Sequence, residues 1–578
     1  MTRSAPVAPE ASSNGTGVRP GAGGPDSPGA KASPGGWGLP LIVLIAGMFM
    51  SILDISIVNV AIPTIQNDFG VTTDDVQWVV TAYTLALGVV VPVTAWLGDR
   101  FGLTRIYNLA LLFFAAGSAL CGLAWDLNSL VAFRIIQAIP GGILPVMTMT
   151  MLFRIVPREK LGAAMGLYGV GVVFAPAVGP TLGGYLVEYV DWRLIFFINV
   201  PVGILGVIAA VLVLPQFSRV AGRRFDVLGF LTIATGLFSL LLALSEGESW
   251  GWTGYRVLGL LTISALCLAL FVVIELEVDD PLLDVRIFRY WAFSHSLLLI
   301  SVLMVVMFGV LFYIPLFLQQ AQGWGALDAG LTLLPQALVM GLLMPIAGRV
   351  YDRYGARWPA TIGLAIVAVS TYQMHYLTLD TPREHIMWLL VLQGAGLGMA
   401  MMPIFTGGVA VIPQAQVGTA SAYNNVVQRV AGALGLAVLT AILTTQQAQL
   451  MAGRGGLVPA GSVVPPQLGP PGTPDWVGLY AMYQRTQLEV FTSAIDNLFL
   501  IAAVLSAIGS LGSLFLRAGS TAALIEATPS QQDAVAPSTA SAASANGRPA
   551  QSSPERELVP SATATAARQP RPTGTSDS

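Results

Sequence analysis

Charge is scarce in this sequence. Of 578 residues only 10% are Asp, Glu, Lys or Arg, against 54% hydrophobic, and mean hydropathy is +0.71. A soluble chain of this length needs about 25% charged residues to cover its surface. The composition places the chain in the membrane class instead. Lysine is nearly absent, with only Lys31 and Lys160. A phosphate-binding loop needs Gly-Lys followed by Ser or Thr. Lys31 precedes Ala32 and Lys160 precedes Leu161, so an ATP-driven pump is excluded. Energy must come from a gradient or another subunit. The two cysteines, Cys121 and Cys267, lie inside apolar runs, and no disulfide framework is readable. They read as small buried apolar side chains. His295, His375 and His385 are scattered near the ends of apolar runs, without metal-site spacing. No metal or other cofactor is expected. No Ser/His/Asp or Cys/His set shares one depth, so an enzyme is not expected either. A net charge of −3 removes the basic surface that nucleic acid would need.

What the chain has is long apolar runs. A hydrocarbon core ~30 Å thick needs roughly 20 apolar residues per helix. Fourteen stretches qualify, at 39–63, 76–97, 105–125, 128–152, 162–187, 194–214, 227–245, 257–275, 293–318, 328–347, 358–379, 386–410, 416–444 and 494–516. They are numbered spans 1 to 14. The glycines and prolines inside them are normal for membrane helices. Outside the spans, residues 1–38 and 518–578 are rich in Gly, Pro, Ser and Ala and are expected to be disordered tails. The first lacks the apolar core of a signal peptide.

Basic residues set the expected direction. The loops after spans 2, 4, 6, 8 and 10 hold Arg100 and Arg105; Arg154, Arg158 and Lys160; Arg219, Arg223 and Arg224; Arg286 and Arg289; Arg349, Arg353 and Arg357. The short loops on the other side offer only Arg193, Arg256 and Arg383. The positive-inside rule makes the first set cytoplasmic. An even span count then puts both termini on the cytoplasmic side of a cell membrane. The loop after span 12 has no basic residue, and its side follows from parity.

The chain repeats itself. Asp99-Arg100-Phe101-Gly102 after span 2 returns as Asp352-Arg353-Tyr354-Gly355 after span 10, 253 positions on. Gln137 matches Gln393, and Gly162 matches Gly418, at 256. Six spans take about 175 residues here, so spans 7 and 8 are surplus. The expected domains are a six-helix half at 39–214, an inserted pair at 227–275, and a second six-helix half at 293–517. Parallel duplicated halves are a known transporter plan. Residues 446–493, rich in Pro and Gly, are expected to form an extracytoplasmic loop, where a periplasmic adaptor is a candidate partner.

A set of motifs narrows this further. Span 1 reads Leu53-Asp54-Ile55-Ser56-Ile57-Val58-Asn59-Val60-Ala61-Ile62-Pro63, and span 4 holds Arg134-Ile135-Ile136-Gln137. Span 5 carries Pro176, Gly179, Pro180 and Gly183. Asp191-Trp192-Arg193 precedes Phe196-Phe197-Ile198-Asn199-Val200-Pro201. Together with the Asp-Arg turn, these resemble the fourteen-helix drug:proton antiporters of the major facilitator superfamily, over residues 39–517. The resemblance implies an all-α membrane protein of the major facilitator fold. It also implies export of amphiphilic drugs in exchange for protons by alternating access. The partners would be the bilayer, a small-molecule substrate and protons. The alternatives are an exporter dedicated to one lipid, siderophore or self-made antibiotic, and a non-transporting sensor or subunit on the same scaffold.

Asp54 carries the mechanism in this reading. A carboxylate within a spanning helix costs several kcal/mol and marks function by default. At 1.5 Å per residue Asp54 lies about 22 Å above the start of span 1, and Arg134 about 8 Å below the other boundary. Both therefore sit at one depth. A carboxylate that loses a nearby cation or its water binds a proton more readily. Asp54 is the candidate proton carrier and Arg134 the group that tunes it. Gly179 and Gly183 share one face, which permits close approach of another helix. The adjacent prolines interrupt the hydrogen-bond ladder. In the resembled family this pattern accompanies exporters. Arg429, about 20 Å up span 13, has no repeat partner, since Val173 stands opposite it. It is expected either to meet substrate or to pair with an acid such as Asp54. Asn59, Gln137, Gln393 and Gln428 complete the expected substrate cavity, where the aromatics Tyr423 and Phe405 are further candidates; ordinary packing is the alternative for Gln393, Gln428, Tyr423 and Phe405. The turn residues Asp99, Arg100, Gly102, Arg105, Asp352, Arg353 and Gly355 are expected to gate the cytoplasmic side through helix-end charge interactions. The first copy departs from the usual pattern at Ala95 and at Leu103-Thr104, which predicts a weaker latch.

Overall fold

The computed structural model describes residues 36–217, 219, 224–455 and 475–516. The expected tails lie outside the described residues, apart from Gly36, Trp37 and Gly38. Every regular element among those described is helical. The spans run Gly38–Phe69, Thr73–Phe101, Leu103–Gly122, Leu127–Ile155, Leu161–Tyr189, Leu194–Val213, Val227–Glu246, Tyr255–Glu277, Trp291–Ala321, Ala326–Tyr354, Arg357–Met374, Arg383–Ala410, Val417–Gly455 and Asp475–Ser513. Span 2 contains a tight 3-10 turn at Val91–Val93, and span 6 breaks at Ile198.

Thirteen of these helices are long and apolar enough to cross a membrane. The exception is Arg357–Met374, whose ends are polarised by Arg357, Tyr372 and Gln373. It packs against spans 12 and 14 and serves as the eleventh span all the same. The expected loop at 446–493 is much shorter. Span 13 continues as a helix to Gly455 and span 14 begins at Asp475, leaving 456–474 outside the described residues. These extensions are polar, and an apolar window cannot see them.

Turn chemistry explains the ends. Asp126 accepts the Ser129 amide at 2.7 Å while the Ser129 hydroxyl accepts the Asp126 amide, forming a capping box on span 4. Gly102 and Gly355 end spans 2 and 10 with φ of +94° and +77°. Side-chain-bearing residues rarely adopt that backbone, so both copies of the turn require glycine.

The repeat, read in space, brings the even loops to one end. Thr104 donates to the Pro215 carbonyl at 2.5 Å, and Trp96 to that of Arg224 at 3.1 Å. Gln416 donates to Asp284 at 3.1 Å. This is the basic end. The inserted spans 7 and 8 pack on each other, and span 7 lies against spans 2 and 13. Leu241 and Leu242 join Leu85, Val430 and Ala433 in one apolar cluster there. Span 8 turns Leu258, Leu266, Leu270 and Val273 outward. An apolar exterior on helices of this length suits lipid, which leaves no backbone group unsatisfied.

Candidate functional site

Spans 1 and 4 cross where Asp54 and Arg134 meet. Their side chains form an ion pair and are 0% and 1% exposed. The pair sits in a cage of amides. Gln137, one turn beyond Arg134, donates Nε2 to Asp54 Oδ1 at 2.9 Å and accepts from Arg134 Nη1 at 2.9 Å. Asn199 donates Nδ2 to Asp54 Oδ1, also at 2.9 Å, and to the Ser118 hydroxyl at 3.1 Å. Ser118 in turn donates its hydroxyl hydrogen bond to the Phe196 carbonyl at 2.8 Å. Arg134 lays its guanidinium 3.7 Å from the Tyr83 ring centroid and donates Nε to the Val79 carbonyl at 3.4 Å. Both Asp54 oxygens are thus filled by donors from two other spans, 4 and 6. A buried pair held this way needs its partners, since removing one leaves an uncompensated charge.

The equal depth expected for Asp54 and Arg134 becomes direct contact. Gln137 was expected in a substrate cavity, but it belongs to this network. Asn59 lies outside it, exposed on span 1. Gln393 accepts from Gln336 of span 10 at 3.0 Å. Asn199, Ser118 and Tyr83 were not anticipated. Asn199 is the sole amide in an apolar run, and that was the available signal. Ser118 and Tyr83 gave none, because Ser and Tyr are ordinary in packed membrane helices.

The Gly face of span 5 rests on span 1 just beyond Asp54. A Cβ at Gly183 would lie 2.8 Å from Ile57 Cγ1 and 3.0 Å from its carbonyl, and one at Gly179 would strike Ser56. Ser56 donates to the Ala175 carbonyl at 3.3 Å. Pro176 and Pro180 point away, exposed, within a continuous helix.

The two Asp-Arg turns differ at the basic end. Asp352 accepts the backbone amides of Gly162 at 2.8 Å and Ala163 at 3.1 Å, capping the start of span 5. Gly162 and Gly348 touch backbone to backbone, with no room for a Cβ on either. In the first copy Asp99 pairs with Arg154 at 3.6 Å. There a Cβ at Gly418 would sit 3.5 Å from that of Ala95, an ordinary contact. Arg100, Arg105 and Arg353 are all exposed, and these contacts of the turns are made by Asp99, Asp352 and the glycines. Beyond the Gly162–Gly348 contact, spans 5 and 10 part. An apolar cleft of about 470 Å³ opens toward the other end, lined by Phe174, Val178, Tyr185, Leu334 and Leu338.

Spans 12 and 13 settle the positions of four further residues. Arg429 does not pair with Asp54, whose ion-pair partner is Arg134. Its Nε is buried without a hydrogen-bond partner. Equal depth did not mean the same helix face. Tyr423 leaves the cavity, donating to the Leu283 carbonyl at 3.1 Å and meeting Phe288 edge-on at 4.9 Å. Phe405 is core, 2% exposed among apolar neighbours. Gln428 turns back onto the Asn424 carbonyl at 3.2 Å.

The fold matches known transporters. The chain is 14% identical to a solved proton:xylose symporter, XylE, with a TM-score of 0.55 over 84% of this chain and 98% of that one. At that identity the likeness shows the fold alone. In sequence it is 38% identical over 406 residues to the Bacillus subtilis protein YhcA, named an uncharacterized MFS-type transporter, covering 70% of this chain and 76% of that protein. It is 32% identical over 407 residues to a tetracenomycin C resistance and export protein of Streptomyces glaucescens, again covering 70% and 76%. The family model of the Major Facilitator Superfamily matches residues 44–436. Duplicated halves, the repeated Asp-Arg turn and these likenesses agree: the chain belongs to the Major Facilitator Superfamily and is a transporter rather than an enzyme.

Proposed function

We propose that the chain exports small amphiphilic molecules in exchange for protons by alternating access, in a cell membrane with its basic end and both termini cytoplasmic. The buried Asp54–Arg134 pair is the observation that carries this reading. Protonating Asp54 removes the charge that Arg134, Gln137 and Asn199 converge on. Span 1 then loses its hold on spans 4 and 6, and span 5, seated on Ser56 and Ile57, follows it. Spans 5 and 10 are sealed at the basic end and parted at the other, the arrangement of an exporter closed to the cytoplasm. Export by the tetracenomycin relative, which its name records, supports the direction. Asn59, Gln428 and Arg429 belong to the substrate path in this scheme.

Reconstitution in vesicles with an imposed pH gradient tests it. Asp54→Asn keeps the side chain's size and one acceptor oxygen but cannot exchange a proton. It should abolish gradient-driven efflux while the protein still inserts and stays folded. Undiminished efflux by that variant would end the proposal.

A further inference from the structure

Span 13 carries buried polar groups that the Asp54 network does not use. Asn424 is 0% exposed, and neither its amide nitrogen nor its oxygen has a hydrogen-bond partner. The Ser421 hydroxyl, one turn away, is likewise buried and unpartnered. Ser421, Asn424 and Gln428 recur at spacings of three and four, which places them on one helix face, with Arg429 at its border. Unpaired polar groups inside a protein are unfavourable and uncommon. Asn424 leaves a donor and an acceptor open together, and Arg429 leaves a donor.

The charge around them restricts what can fill them. The titratable groups within electrostatic reach of Arg429 are Tyr83 of span 2 and Tyr168 of span 5. Tyr83 also faces Asp54 and Arg134, and so lies between the two arginines. Asp54 is matched by Arg134, and among the described residues the ion-pair geometry gives Arg429 no acidic partner, which leaves its positive charge unmatched in this part of the interior. A permanent cation here would meet a like charge in a low-dielectric site. An anion at Arg429 would hold the proton on Asp54 and favour joint occupancy, the opposite of exchange. An uncharged polar group meets neither penalty.

We infer that span 13 seats the uncharged polar groups of an amphiphilic substrate. One carbonyl oxygen accepts from Arg429 Nε. An amide, or a carbonyl beside a hydroxyl, pairs with both ends of the Asn424 side chain. The two residues are five apart, about 7.5 Å along the axis and about 140° around it, so the ligand presents two separate polar groups rather than one. This assignment rests on the exchange reading and adds a substrate class and two residues, Ser421 and Asn424, to it.

The test uses the full chain in vesicles with a pH gradient and two probes. Chloramphenicol is uncharged and amide-bearing; tetraphenylphosphonium is a permanent cation without hydrogen-bonding groups. Chloramphenicol should move at least tenfold faster. Asn424→Leu should cut that rate at least tenfold and weaken chloramphenicol binding, measured by equilibrium dialysis without a gradient. The same variant should leave the Tm in detergent unchanged or raised, because it deletes an unpaired amide. Preferred transport of tetraphenylphosphonium overturns the inference. So does unchanged chloramphenicol affinity in Asn424→Leu, or a lowered Tm with equal losses for both probes, which marks a structural amide. If neither probe responds to the gradient, the exchange reading fails, and the dialysis comparison still decides whether span 13 is the seat.

Discussion

One turn sequence builds both contacts between the halves at the basic end, yet the two contacts are unlike. Where span 10 meets span 5, glycine faces glycine and Asp352 caps the partner helix. Where span 2 meets span 13, Ala95 holds Gly418 at ordinary distance, and Asp99 reaches Arg154 in its own half. Ala95 and Gly348 are counterparts at the 253 offset, as Gly162 and Gly418 are at 256. A single methyl group therefore separates a backbone-tight seal from a looser one. Under the alternating-access proposal, the tight contact is the one that must break for the basic end to open, and the loose one acts as its hinge.

The largest expected effect lies in the glycine pair. Gly162→Leu forces apart two touching backbones, and overpacking of this kind costs about 1–3 kcal/mol. Efflux should fall at least tenfold, whereas Gly418→Ala, at the matching position, should keep it within about twofold of normal, since that Cβ has space. Equal losses from both would erase the distinction between the contacts. Asp352→Ala comes next. Losing a helix cap costs about 1 kcal/mol, a roughly fivefold shift toward an open basic end. Labelling of Met344→Cys by a maleimide reads it, because Met344 is buried against Gly166 and Gly169 in the closed contact. Asp99→Ala breaks a partly exposed ion pair worth ~0.2–1 kcal/mol and should change the same labelling about twofold or less. The smallest effect belongs to Ala95→Gly. It removes the methyl but adds helix flexibility worth ~0.5–1 kcal/mol, lowering Tm by a few degrees with efflux almost unchanged.

Much of this was legible in the sequence because a membrane makes composition informative. Apolar length located the spans, and the cost of intramembrane charge singled out Asp54, Arg134 and Arg429. The repeated turn set the register of the halves and exposed the inserted pair. Legibility failed where the physics was local. Polar helix beyond the apolar runs, at 446–455 and 475–493, looks like loop to any hydropathy measure. Depth arithmetic places residues along an axis but not around it, which is why Arg429 was open to pairing with Asp54. Asn199 sits just past the break in span 6, and nothing in a hydropathy pattern says which way that short amide turns. Tyr423 read as cavity lining because an aromatic ring gives no sign that its hydroxyl is committed to the Leu283 carbonyl.

The inserted pair of helices gives the molecule a left and a right. A duplicated transporter without it would offer two equivalent crevices to the bilayer, one beside spans 2 and 13 and one beside spans 5 and 10. Here Leu241 and Leu242 plug the first at its far end, while the second stays open and apolar. Insertion of about fifty residues has made a duplicated scaffold one-sided.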